Sequence, residues 1–178
     1  MCVLGPRHTP TTTTLMTWSR SKRILSDDSL RAMYAGQRGN KTARRYARFW
    51  AFVFATGLSS RRWVTLEVPG RVSGRPTRFP LGMADFDGDW YFVSMLGNTC
   101  NWVRNVRAAN GHVVIRHGRA RHRRLVEVPV DWRAPILKRY LEVVPGARPH
   151  MPVDQHAPVS DFELVAPNFP VFLVENVD

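Results

Sequence analysis

Three arginines and two hydroxyl side chains crowd one short stretch, Gly70-Arg71-Val72-Ser73-Gly74-Arg75-Pro76-Thr77-Arg78. Its glycines leave the backbone free to turn. Such a loop can present N–H groups and guanidinium forks to an anionic group. Arg71, Ser73, Gly74, Arg75 and Arg78 are the candidates for that contact. A second polar stretch runs from Asn98 through Asn101, Trp102, Arg104 and Asn105. It reads as a loop entering a helix, and a helix N-terminus favours an anion in any case. Trp102 reads best as a core anchor. Asn105 could serve as a backbone tie.

Other chemistries find less support. His112, His117 and His122 are spaced by five, and His150 and His156 lie further on. None has the H-x-x-x-H or C-x-x-C spacing that holds a metal, so no metal is expected. Ser73 and Ser94 lie in no nucleophile elbow, and Cys100 has no evident histidine partner. Cys100 is a small residue beside a loop, with Arg104 one turn away to make it more acidic. Arg116, Arg119, Arg121, Arg123 and Arg124 form a basic hairpin that could meet phosphate. With no recognition helix or aromatic RNA motif, it reads as a solvated face, and no specific nucleic-acid partner is expected.

The elements that must position these residues follow from period and punctuation. Val64 to Val68 alternates as a strand and stops at Pro69-Gly70. Phe79 to Ala84 is a second strand, Asp85 to Asp89 a hairpin turn, and Trp90 to Ser94 the returning strand. Asn101 to Ala109 is a short helix stopped by Asn110-Gly111. His112 to Arg116 is a strand and His117-Gly118 a turn. In Arg119 to Val130, charged and apolar residues alternate, with Leu125, Val126 and Val128 facing a core. Asp131 is placed to cap a helix through Val144, with Pro135 in its first turn. Pro145 to Pro158 is a long proline-rich loop, of the kind that serves as a lid. Residues 161–165 have no clear preference, and Phe169 to Glu175 is a closing strand.

The order of these pieces resembles the deazaflavin-dependent nitroreductase family of actinobacteria, over about residues 40–175. The resemblance rests on strand, Gly-Arg-x-Ser-Gly-Arg-Pro, Pro-Leu strand, Asp-Gly hairpin, strand, Asn-Trp-Val-Arg-Asn and Ala-Asn-Gly. It implies an α+β fold: a split β-barrel of about six mostly antiparallel strands, an N-terminal amphipathic helix and two further helices outside. It implies coenzyme F420, whose anionic tail the Gly-Arg-x-Ser-Gly segment would hold. Arg71 and Arg75 would clamp phosphate or glutamyl carboxylates, and Ser73 would donate a hydrogen bond. Relatives often carry Lys where this chain has Val72, so Arg75 or Arg78 must replace that cation or the tail binds less tightly. Pro80 and Leu81 match the strand bordering the deazaflavin ring. Ser94 to Asn98 matches the loop beside it, and Asn101, Trp102 and Asn105 the helix start that touches phosphate and ring.

The implied activity is hydride transfer from reduced F420 to a small-molecule electron acceptor: a quinone, nitro compound or activated alkene. The cofactor carries that chemistry. Leu81, Trp102 and the region of Phe169 to Phe172 would suit a flat acceptor, and Tyr140 or a bound water would protonate the product. Two other readings stand beside this one: an FMN-binding split-barrel oxidoreductase, and a non-catalytic protein that binds F420 or lipid.

The formal net charge of +12 suits anionic partners, although an arginine-rich genome would produce the same excess. Two cysteines make no disulfide framework and fit a reducing cytoplasm. Residues 1–27 read as a flexible tail, with Met16 or Met33 as alternative starts, and 28–178 as a single deazaflavin-binding domain. Residues 41–58 form the clearest helix. Ala43, Tyr46, Ala47, Trp50 and Phe54 make an apolar stripe, and Lys41, Arg44, Arg45 and Arg48 a basic side. The stripe would pack on the barrel. Phe49 and Phe52 lie outside it and support weak contact with anionic lipid, so a cytoplasmic protein could sit at the inner face of the plasma membrane.

Overall fold

Alternation of side chains builds the barrel. The computed structural model describes residues 41–177, without the side chains of 41–44 and 46. In β1 (Trp63–Pro69), Val64, Leu66 and Val68 are buried on one face, and Trp63, Thr65 and Glu67 turn to the other. The remaining strands are β2 (Pro76–Phe86), β3 (Asp89–Val93), β4 (His112–His117), β5 (Arg119–Glu127) and β6 (Val171–Asn176). All pairings are antiparallel, and the sheet closes in the order β1-β2-β3-β6-β5-β4. Between β2 and β3, Asp87 and Gly88 both have positive φ, +50° and +85°. That is the backbone a two-residue hairpin needs to match the twist of its strands.

The interior is filled by Leu66, Val68, Met83, Phe92, Val113, Leu125 and Phe172. Helix α2 (Asn101–Ala108) closes over it with Trp102, Val103 and Val106. The Trp102 ring meets Phe172 edge-on at 5.4 Å between centroids. Truncating a buried ring of this size costs about 3–5 kcal/mol.

A second core lies outside the barrel wall. The outward Ala84, Val93 and Val171 are covered by α3 (Arg133–Val143) and α4 (Val159–Val165), through Ile136, Leu137, Leu141 and Phe162. Helix α1 (Lys41–Ala55) seats Ala51 on the wall, where Thr65 Oγ1 donates to Ala51 O at 2.5 Å. Trp50, Phe54 and Trp63 form a chain of rings at 5.4 and 5.6 Å. Below α1, Gly57 takes φ +77°, and a Cβ there would lie 2.7 Å from Gly118 N in the β4–β5 turn. The Gly118 N–H donates to Ala55 O at 2.9 Å, so the helix end and the hairpin are one joint.

The α+β class and the six-stranded antiparallel barrel stand as expected. Several boundaries differ. Helix α1 ends at Ala55, not residue 58. The arginine loop is shorter than its sequence suggested, because pairing with β1 starts at Pro76 and takes Thr77 and Arg78 into β2. Asp131 does not cap α3; it lies in a 3-10 turn (Val130–Trp132), and the helix begins at Arg133 without a side-chain cap. Residues 159–165 are helical, giving one helix more than expected among the described residues. The 145–158 segment has structure of its own. Pro145–His150 is a 3-10 turn with Ala147 buried. Arg148 and Lys138 also tie the segment to α3, donating to Leu141 O and Ala157 O at 2.9 Å each. The expected tail at 1–27 lies outside the described residues.

Candidate functional site

The β1–β2 loop and α2 meet at one rim of the barrel. Backbone bonds fold the loop on itself: Gly70 N–H to Arg75 O at 2.9 Å and Gly74 N–H to Gly70 O at 2.7 Å. Gly74 adopts φ +67°, which favours glycine. The Arg75 N–H donates to Ser73 Oγ at 3.4 Å. Arg71, Ser73 and Arg75 are all exposed on this loop. Arg71 also reaches α2. Its backbone N–H and its Nη1 donate to Asn105 Oδ1 at 3.3 and 3.0 Å, and Nη1 lies 3.5 Å from Asn101 Oδ1.

The carboxylates nearby are engaged elsewhere. Glu67 takes Arg78 and Arg116 at 2.7 and 3.0 Å on the outer wall. Its carboxyl is held below the usual range, first by the Arg116 hydrogen bond, and burial only partly opposes this. Glu127 takes Arg107 and the buried Arg133 at 2.7 and 3.0 Å. Asp85 takes Arg62 and Arg139 at the far end of the barrel. By contrast, Arg71, Arg75 and Arg104 form no ion pair with a described carboxylate. Arg104 is exposed on α2 and shares a face with Asn101. The sequence places it in the polar stretch at the helix start but does not single it out as a contact for the ligand. The signal that could have found it is the three-residue spacing from Asn101.

The expected site residues therefore separate. The structure brings Arg71, Ser73, Gly74, Arg75, Asn101 and Asn105 together at the rim. It places Arg78 on the outer wall, where its Nε donates to Glu67. Pro80 and Leu81 point to opposite faces: Pro80 pairs with Thr65 on the outer face that α1 covers, and Leu81 with Val64 on the inner face. One ring cannot rest on both side chains. Asn98 is a clasp, its Nδ2 donating to Pro167 O and its Oδ1 accepting from Arg107. Trp102 is 4 % exposed and belongs to the interior, as does Phe172, while Phe169 is buried in the second core on the helix side. These rings are core, not a surface for an acceptor.

Two titratable groups also depart from expectation. Burial pushes the Cys100 thiol up, and the N–H of Trp102 and the Ser94 hydroxyl only partly offset it, so Arg104 does not make it acidic. Tyr140 is buried between α3 and the barrel. Burial, then proximity to Cys100, raises its hydroxyl well above the usual phenol range. That makes it a poorer proton donor than an exposed phenol. Among the described residues, no group of three or more His, Cys, Asp or Glu could hold a metal, and no helix is long and apolar enough to cross a membrane.

A six-stranded barrel with helices outside and unpaired cations at one rim defines a class of small α+β barrels suited to an anionic ligand. The family model for F420H(2)-dependent quinone reductase matches residues 39–160, and the chain belongs to that family. It is an F420H2-dependent oxidoreductase, with coenzyme F420 as cofactor and a small molecule as electron acceptor. Similar solved structures include an F420-H2 dependent reductase (FDR-A), 22 % identical with TM-score 0.45, covering 65 % of this chain and 95 % of that one. Another, described as a domain-swapped dimer, is 21 % identical with TM-score 0.46 and coverages of 75 % and 96 %. Atu2129 from Agrobacterium tumefaciens, of unknown function, is 16 % identical with TM-score 0.48 and coverages of 77 % and 55 %. None of the curated proteins matches the chain.

The rim residues fit such a cofactor. Exposed guanidinium groups, backbone N–H groups and the Ser73 hydroxyl are the donors that phosphate and carboxylate oxygens require.

Proposed function

We propose that the rim formed by the β1–β2 loop and α2 holds the anionic part of F420, and that the protein passes a hydride from the reduced cofactor to a quinone, nitro compound or activated alkene. One observation carries the first half. Among the described residues, Arg71, Arg75 and Arg104 share this rim without a carboxylate partner; Arg119, Arg121, Arg123 and Arg124 on β5 also lack one, while Arg62, Arg78, Arg107, Arg116, Arg133 and Arg139 each have one. Three cations left without acids are a standing electrostatic cost that an anionic ligand relieves. Arg71 and Arg75 supply forked donors, Ser73 a hydroxyl and the Gly74 turn a close backbone approach. Reduced F420, when bound, supplies the hydride from C5 of its deazaflavin. The protein's part is to fix the cofactor and acceptor in contact, and tight geometry supplies the rate. With Tyr140 buried, solvent supplies the product's proton.

Titration calorimetry with F420 and FMN tests this reading. Saturable binding of F420 in preference to FMN is expected, because several arginines suit a long polyanionic tail better than a single phosphate. Saturable FMN binding with no F420 binding would overturn it.

A peripheral membrane contact is the second part of the proposal. Phe49 and Phe52 on α1 are 60 % and 72 % exposed, with Arg45 and Arg48 exposed around them. An outward face of aromatic and basic residues suits the boundary of an anionic bilayer.

A further inference from the structure

Asn105 is a buried polar residue in a helix that otherwise turns Trp102, Val103 and Val106 inward. It is 4 % exposed, yet its Oδ1 accepts both the backbone N–H and the Nη1 of a residue 34 positions earlier. A buried amide is retained at a cost unless its hydrogen bonds are made. Here both bonds go to one arginine, through the main chain and the guanidinium together. Arg71 is thus held at its root and near its tip. The second acceptor, Asn101, stands one helical turn earlier on the same face.

The choice of acceptor matters as much as its place. Six other arginines of this fold are oriented by Glu67, Asp85 or Glu127, and their charge is cancelled in the act. Asn105 presents the shape of an aspartate without its charge. It aims the guanidinium and leaves it fully cationic.

We infer that Asn105 is a positioning residue: a neutral buried acceptor that presets Arg71 for the anionic part of the cofactor without neutralising it. The inference rests on the proposal that this rim takes that part of F420, and extends it to Asn105, whose Oδ1 is already engaged by Arg71. An uncharged acceptor lets the same arginine be ordered before binding and still unsatisfied electrostatically. The ordering entropy is then not lost at the moment of binding.

The test compares binding of two ligands by the intact protein: F420 and the phosphate-free deazaflavin riboside that shares its ring. Asn105→Asp is nearly isosteric and places a carboxylate where Oδ1 now accepts from Nη1. It is expected to weaken F420 binding about tenfold or more through the charge pair it creates with Arg71. Binding of the riboside should be unchanged. Loss of both ligands in parallel, with a lowered thermal midpoint, would mean a structural role only and overturn the inference. Wild-type F420 affinity in Asn105→Asp would also overturn it. Arg71→Lys keeps a cation on the exposed loop but cannot reproduce the forked geometry, and it tests the same preset arrangement should the buried variant fail to fold. It too is expected to lose F420 affinity and keep riboside affinity; full F420 affinity in Arg71→Lys would count against the inference. Arg71→Ala separates the two levels. If it leaves F420 affinity unchanged, the rim proposal itself has failed. If it weakens F420 while the Asn105 variant binds normally, only the positioning role has failed.

Discussion

Arg78 Nε donates to Glu67 Oε2 at 2.7 Å across the paired strands β1 and β2, and Arg116 closes on the same carboxylate. The cation nearest in sequence to the rim loop is therefore answered on the outer wall. Arg78→Ala is expected to leave F420 affinity within about twofold, as befits an exposed pair worth at most about 1 kcal/mol. Arg71→Ala should lower it about tenfold to more than a hundredfold, the range for one charge-assisted bond of roughly 1.5–3 kcal/mol. Calorimetry on both variants checks this. A large loss with Arg78→Ala and none with Arg71→Ala would move the anion site to the outer wall.

The same pair shows what the sequence made legible and what it hid. Loop chemistry was readable because Gly, Arg and Ser have local meaning. The Asp87-Gly88 hairpin was readable because few residues accept that backbone. Arg78's role was not, since its partner lies on the neighbouring strand and Arg116 arrives from β4. Asn105 was left between two roles because its partner is 34 residues away. Helix α4 was missed because seven residues anchored by one buried side chain, Phe162, carry almost no periodic signal. Tyr140 looked available as an acid only while the cover of α3 on the barrel was unknown.

Turnover is the second prediction. Reduced F420 should be oxidised when menadione is added to the protein, followed by the return of the oxidised deazaflavin absorbance. The family match supplies the motive. Protein that binds F420 yet turns over no quinone, nitroarene or enone would instead favour a carrier role.

Acid stability follows from Asp85. Hydrogen bonds from Arg139 first, then Arg62, lower its carboxyl from 3.8 to about 2. A depressed carboxylate adds stability above its unfolded value and loses it as pH falls through the folded one. The wild type should therefore exceed Asp85→Asn in urea midpoint near neutrality, with the gap closing between about pH 4 and pH 2. The effect is modest, because the side chain is 41 % exposed and its pairs are screened. A gap that persists unchanged at about pH 2 would assign it to packing or hydrogen bonding instead of charge.

The joint below α1 makes a stability prediction. Gly57→Ala must hold φ +77° and place its Cβ 2.7 Å from backbone. The dihedral alone costs about 1–3 kcal/mol, which lowers the thermal midpoint by roughly 2–4 °C per kcal/mol in a chain of this size. Gly74→Ala has a similar φ, +67°, but open space around it, so only the dihedral cost applies. Thermal unfolding should rank Gly57→Ala clearly below Gly74→Ala. Equal midpoints would show that the helix end and the β4–β5 turn part without penalty.

The last prediction concerns the outward face of α1. Trp50 and Phe54 are committed to the ring chain that ends on Trp63, and Ala51 is buried on the wall. Among its described side chains, a docked helix therefore offers a membrane Phe49, Phe52, Arg45 and Arg48. Each cation near an anionic surface contributes about 1 kcal/mol, and salt erodes this within a Debye length. Two aromatic side chains entering the headgroup boundary add a term that salt leaves intact. Together these give reversible attachment, not anchoring. Co-sedimentation with anionic and neutral vesicles at low and high salt should show pelleting with anionic vesicles at low salt, reduced by salt. Replacing Phe49 and Phe52 with serine should weaken it further without lowering the thermal midpoint, since neither ring is in the core. Equal, negligible pelleting in every condition would leave α1 as a cover for the barrel wall alone.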